Sequence, residues 1–120
     1  MAREIKFRYW DVVLRRYSDP DLYVVRGDGK IFSFYGQDLV DDMVVEQWTG
    51  EVDETGVEIY DGDIVEYQFG DAGVVYRDKI GWEDSGWRMI SFDDTSSNCL
   101  CAGVVTVIGN MRENLDLITK

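Results

Sequence analysis

Histidine is missing altogether from this 120-residue chain, proline occurs once, at Pro20, and cysteine twice, at Cys99 and Cys101. Without an imidazole neither a Ser-His nor a Cys-His pair can form, which removes the common nucleophilic constellations. The usual N/S zinc site goes with it, because two thiols supply only half of four ligands. The two cysteines, one residue apart, would share a face of a strand, where a disulfide between them would be badly strained. No base stands beside them in sequence to lower a thiol pKa. They are expected as small buried hydrophobes in a reduced, cytoplasmic protein.

Long apolar runs are missing too. Residues 99–109 are about half of the roughly 20 needed to cross a bilayer, so they read as a buried strand. Residues 1–16 are broken by Arg3, Glu4, Lys6, Arg8, Asp11, Arg15 and Arg16, which excludes the apolar stretch of a signal peptide. Glycine-rich phosphate loops are absent, since Gly27-Asp28-Gly29 lacks the remaining glycines and the following helix. Carboxylate pairs suited to glycoside hydrolysis are abundant among 24 acids, and for that reason none is singled out. Asp61-Gly62-Asp63, or Asp53-Glu54 with Glu58, could offer oxygen to a hard cation, but neither follows the EF-hand spacing. No catalytic residue, metal or cofactor is therefore assigned, and no enzymatic activity is expected.

Basic residues are absent from a long internal stretch. Between Lys30 and Arg77 there is no Lys or Arg, while Asp38, Asp41, Asp42, Glu46, Glu51, Asp53, Glu54, Glu58, Asp61, Asp63, Glu66 and Asp71 all lie there. Those twelve acids equal the net charge of −12. Residues 1–30, with seven bases against five acids, are the one basic segment, at 7 − 5 = +2. Nucleic acid is not an expected partner, because phosphate binding needs bases gathered on one face; only Arg3, Lys6, Arg8, Arg15 and Arg16 could supply them. A polybasic membrane contact fails on the same count. The charge suits solubility or fast encounter with a basic protein, and the opposed signs favour docking the N-terminal segment onto acidic surface, within one chain or between copies.

What the chain does have is aromatic and β-branched residues in short runs. Five Phe, four Trp and seven Tyr, with 45% hydrophobic residues, are enough for one core. Residues 5–10 alternate Ile5, Phe7 and Tyr9 with Lys6, Arg8 and Trp10, predicting a strand with one buried face, and residues 12–17 extend it. Residues 22–26 and 31–35 flank an Asp-Gly pair and predict a hairpin. Residues 38–48 fit helical and strand spacing alike and are read as a turn followed by a strand, with 49–56 a polar connection. Strands follow at 59–60, 64–69, 74–76, 87–92 and 104–108, separated by loops that include 61–63, 70–73, 83–86 and 93–98. Five short strands from Ile59 onward suit a small barrel.

Three blocks resemble the YopX family. The first is Arg3-Glu4-Ile5-Lys6-Phe7-Arg8-Tyr9-Trp10-Asp11, with Tyr9 where Ala is common. The second runs from Gln47-Trp48-Thr49-Gly50 through Gly56-Val57-Glu58-Ile59-Tyr60-Asp61-Gly62-Asp63-Ile64-Val65. The third is Val107-Ile108-Gly109-Asn110-Met111-Arg112-Glu113-Asn114-Leu115-Asp116-Leu117, with Leu115 where Pro is usual. The resemblance implies one mainly β domain over 1–120: a small N-terminal β-rich subdomain (1–50), with α+β left open, and a C-terminal SH3-like barrel (51–120). It also implies a phage or prophage origin, and it carries no activity. Its motif residues are Trp10, Trp48, Thr49, Gly50, Tyr60, Gly62, Asp63, Gly109 and Asn110, without an assigned role. Their own chemistry reads as a fold signature: Gly50, Gly56 and Gly62 at turns, Asp61 and Asp63 bonding backbone amides, Trp48 and Tyr60 packing.

Two functions compete. One is an accessory protein of phage or prophage, cytoplasmic in its bacterial host, acting by contact with itself or with a phage or host protein. The other is an acidic decoy that imitates phosphates and occupies a host DNA-binding enzyme.

Overall fold

A computed structural model describes residues 5–25, 30–33, 39–40, 42–68 and 73–117. The chain is mainly β, and no α-helix occurs among the described residues. It forms two compact units, Met1–Gln47 and Trp48–Lys120.

In the first unit, β1 (Phe7–Asp11) pairs antiparallel with β2 (Arg16–Ser18) and with the start of β6 (Met43–Val52). A second, three-stranded sheet holds β3 (Tyr23–Val25), β4 (Ile31–Ser33) and β5 (Leu39–Val40). The hairpin of β3 and β4 is present; its turn, 26–29, lies outside the described residues. Two expectations need correction. Residues 12–17 do not extend β1, because the Asp11 carboxylate accepts from the Val13 and Leu14 amides at 2.9 and 2.8 Å and folds 12–15 into a turn. Nor is only one face of β1 buried: Tyr9 and its neighbour Trp10 are both buried, while Ile5 is exposed. Burial pushes the Tyr9 phenol up.

The second unit carries the rest of β6, which pairs with β7 (Glu58–Tyr60), and a five-stranded antiparallel sheet. Its order is β11 (Ser97–Cys99), β10 (Gly86–Ile90), β9 (Val75–Glu83), β8 (Asp63–Gln68), β12 (Thr106–Asn110), curled as a half barrel. Ile59, Val65, Tyr67, Ile80, Met89 and Val105 form its core, with Trp87, Leu100, Ala102 and Val107 packed against them. β6 runs on to Val52 through residues expected as a loop, bulging between Trp48 and Val52 where Gly50 takes φ +91°. β9 extends seven residues past Tyr76, to a turn at Asp84 and Ser85 with φ +53° and +66°.

Residues 99–109 are not one buried strand. Cys99 ends β11, a short 3-10 turn covers Ala102–Val104, and β12 begins at Thr106. Cys99 and Cys101 are free and exposed, contrary to the reading of small buried hydrophobes. The reason is position: β11 is an edge strand, so one flank is open, and Cys101 lies past its end.

Candidate functional site

The motif residues sort into hydrogen-bonded turns. Asp63 is 2% exposed, and its Oδ2 accepts from the Tyr60 amide at 2.7 Å, closing the turn in which Gly62 takes φ +87°. Gly62 in turn donates its amide to the Ile80 carbonyl at 2.9 Å and accepts at its own carbonyl from the Met111 amide at 2.8 Å. That tail is organised by Asn110: its Oδ1 accepts from the Arg112 and Glu113 amides at 2.9 and 2.8 Å, and its Nδ2 donates to Glu113 at 2.8 Å. The Asn110 amide donates to Asn114 Oδ1 at 3.1 Å. A Cβ on Gly109 would stand 2.6 Å from that Oδ1, so only glycine admits the Asn114 side chain.

Gly62, Asp63, Gly109 and Asn110 are thus brought together, Asp63 facing Asn110 across β8 and β12. Trp48 and Tyr60 face each other across β6 and β7; the Trp48 indole donates to the Glu51 carbonyl at 3.0 Å. Thr49 is buried, and its Oγ1 accepts from the Glu51 amide at 3.2 Å next to Gly50. Trp10, in the first unit, packs edge-on against Tyr17 with ring centroids 5.0 Å apart.

The acids treated in the sequence as cation candidates are engaged elsewhere. Asp53, 4% exposed, accepts at Oδ1 from the Thr55 amide, the Thr55 hydroxyl and the Val57 amide, at 2.8, 2.7 and 2.9 Å. Its Oδ2 accepts from the Val107 amide at 2.8 Å, which pins the 53–57 loop to β12. Burial raises this carboxyl, but the four donors, Val107 foremost, outweigh it and hold the pKa at about 2. A carboxylate ringed by N–H and O–H donors leaves little oxygen for a cation. In the first unit Glu46 is likewise buried, its Oε1 accepting from Arg8 Nε and from the Tyr17 hydroxyl, both at 2.8 Å, with the Arg8 guanidinium 4.7 Å over the Tyr17 ring. Three of the twelve acids in the base-free stretch therefore present no free charge to a partner. Asp38, Asp41 and Asp71 lie outside the described residues.

A concave surface of the second unit lies beside the 53–57 loop. This cleft of about 390 Å³ is lined by Val75, Val104, Tyr67, Thr106, Glu54 and Glu66 among others. Glu54 accepts from the Thr106 hydroxyl at 2.6 Å, and Glu66 pairs with Arg77 at 3.1 Å. The Tyr67 hydroxyl donates to Asp78 at 2.5 Å, and burial together with that carboxylate pushes the phenol well up. The Tyr67–Asp78 pair escaped the sequence reading, since only the β8–β9 register brings residues eleven apart together. The same is true of Arg88, whose Nη1 lies 3.8 Å from Cys99 Sγ across β10 and β11; alternation along the hairpin was the one signal that could have shown it.

A family model described as YopX protein matches residues 6–119. No curated protein matches the chain. Among solved structures, protein EF1440 from Enterococcus faecalis is 24% identical with a TM-score of 0.61, covering 98% of this chain and 99% of that one. Protein yopX from Bacillus subtilis is 18% identical with a TM-score of 0.63, covering 97% and 98%. At these identities the two structures speak for the fold.

Proposed function

This chain belongs to the YopX family, and on that premise we propose that it is a phage or prophage accessory protein working in the bacterial cytoplasm through protein–protein contact, without enzymatic chemistry. In this reading the curled sheet of residues 48–120 serves as an SH3-like barrel scaffold. The observation that carries it is apolar side chains left facing water. Val12, Val13 and Leu14 are 51, 68 and 57% exposed on the turn between β1 and β2, and Trp82 is 61% exposed on β9. Clustered exposed apolar side chains on an otherwise charged chain mark contact surface. The motif residues Thr49, Gly62, Asp63 and Asn110 support the same reading from the other side, since their polar atoms are engaged in turns.

The decoy reading gains nothing comparable, because Glu46, Asp53 and Asp63 turn their carboxylates inward. The test is capture of the tagged chain from host lysate at low and moderate salt, with bound proteins identified by mass spectrometry. Retention of a defined protein, or of its own copies, is the expected result. Retention of nothing above a control, with a chain that stays monomeric to about 100 µM, overturns the proposal. A DNA-processing enzyme released as salt rises would favour the decoy instead.

A further inference from the structure

Between Lys30 and Arg112 the chain holds three bases, Arg77, Lys79 and Arg88, and the sheet gathers all three on one face. β9 buries Asp78 and Ile80 on the core side, so Arg77 and Lys79, at the alternate positions, share the opposite face. Arg88 stands opposite Gly81 in the β9–β10 register and joins them. Lys79 Nζ lies 2.7 Å from Asp94, and Arg88 donates to the Ser97 hydroxyl and carbonyl at 3.0 and 3.2 Å. Arg77 meets Glu66 at 3.1 Å through Nε alone. Among the described residues it makes no other hydrogen bond or ion pair, which leaves the two amino groups at the end of its guanidinium unengaged.

Arg77 lines a second cleft of this unit, together with Val75, Tyr76, Phe92 and Leu117. The cleft holds about 430 Å³, within the roughly 300–1,000 Å³ of small-molecule sites. Val75 and Tyr76 are 48 and 44% exposed, so its apolar lining is open to water. No carboxylate is among the lining residues, in a chain with 24 acids and 12 bases. We infer that this cleft binds a small apolar carboxylate, its head on the Arg77 amino groups and its apolar body against Val75, Phe92 and Leu117. The head group follows from the donor: a guanidinium presents parallel N–H groups that a carboxylate meets with both oxygens. A cationic ligand would face Arg77 with no acid in the lining to offset it. Glu66 competes for the same guanidinium and thereby limits the affinity. Such a ligand goes beyond the protein-contact reading above, which the capture experiment tests separately.

Isothermal titration of sodium octanoate into the full chain at low salt is expected to show saturable one-to-one binding with a Kd below about 1 mM. On the same unaltered chain 1-octanol, with equal length and no charge, should bind at least about tenfold more weakly. Arg77→Gln should weaken octanoate binding by about the same factor. Leu117→Ser should weaken it through lost apolar contact. Glu66→Gln keeps an acceptor for Arg77 Nε and removes the competing charge, so it should tighten binding severalfold. Thermal unfolding of each variant checks that it is folded. Loss in R77Q together with tightening in E66Q carries the proposal. No saturable binding up to about 5 mM octanoate overturns it. So does octanol binding as well as octanoate, or a folded R77Q chain that binds like the wild type.

Discussion

Asp53 shows how much one side chain can decide. Its folded pKa of about 2 lies below the value near 3.9 of an unfolded Asp, so its contribution is complete above pH 4–5 and fades as pH falls towards 2. That contribution is worth about 2 kcal/mol. Asp53→Asn is expected to lose it at neutral pH, since an amide would set a donor against the Val107 N–H, and to show a flatter acid limb than wild type. Urea unfolding of both proteins at several pH values between 2 and 7 is the measurement. Gly109→Ala should cost on the order of 1–3 kcal/mol, because the added Cβ displaces Asn114 from the Asn110 amide. Cys99 and Cys101, being exposed, should both react with a thiol reagent such as dithionitrobenzoate in the native protein, within the mixing phase of unfolded controls. A titre below two would show one of them shielded. That pair marks a limit of reading residues singly: small apolar character predicted burial, and only the edge position of β11 set it aside.

At the scale of elements, the strand alternation, the Asp-Gly hairpin and the β8–β9 pairing were legible because each is local: a period of two and a turn residue suffice. The length of β6 was not. Thr49-Gly50-Glu51 reads as loop, and the strand continues because its far side is paired with β7 across a bulge. Glu46 was read only as one acid among twelve, yet it sits opposite Arg8 in the β1–β6 register and takes hydrogen bonds from Arg8 and Tyr17. A double-mutant cycle between Arg8 and Glu46 is expected to give a coupling of about 1–2 kcal/mol. An isolated exposed pair would give well under 1 kcal/mol. In the second unit, Ile80→Ala should cost about 2–5 kcal/mol, since the side chain is 2% exposed at the centre of the curled sheet. A cost below that range would mean the core closes over the gap.

For the whole molecule, the dominant fact is a charge of −12 on 120 residues. Like charges repel more in a compact state than in an extended one, so screening them should stabilise the fold. The melting temperature is expected to rise by a few degrees between about 20 and about 200 mM NaCl. A fall would show that favourable ion pairs, such as Lys79 with Asp94 at 2.7 Å, outweigh the repulsion. Among the described residues no helix is long and apolar enough to cross a membrane. The base-free stretch was plain in the sequence as charge, but which of its carboxylates face water was not, because buried and exposed Asp and Glu look alike until donors from distant strands are placed beside them.

The sequence by itself determined the β class, the family, and the composition of the turns, because strand period, turn chemistry and short motifs are properties of neighbouring residues. Only the tertiary structure decided which acids became fold elements and which remained charge. It also decided that both cysteines are open, and that Glu54 and Glu66 come to line one cleft with Val75 and Val104. Those outcomes depend on hydrogen-bond donors and packing partners as much as 54 residues away, as from Val107 to Asp53. No local pattern encodes a contact made across that distance.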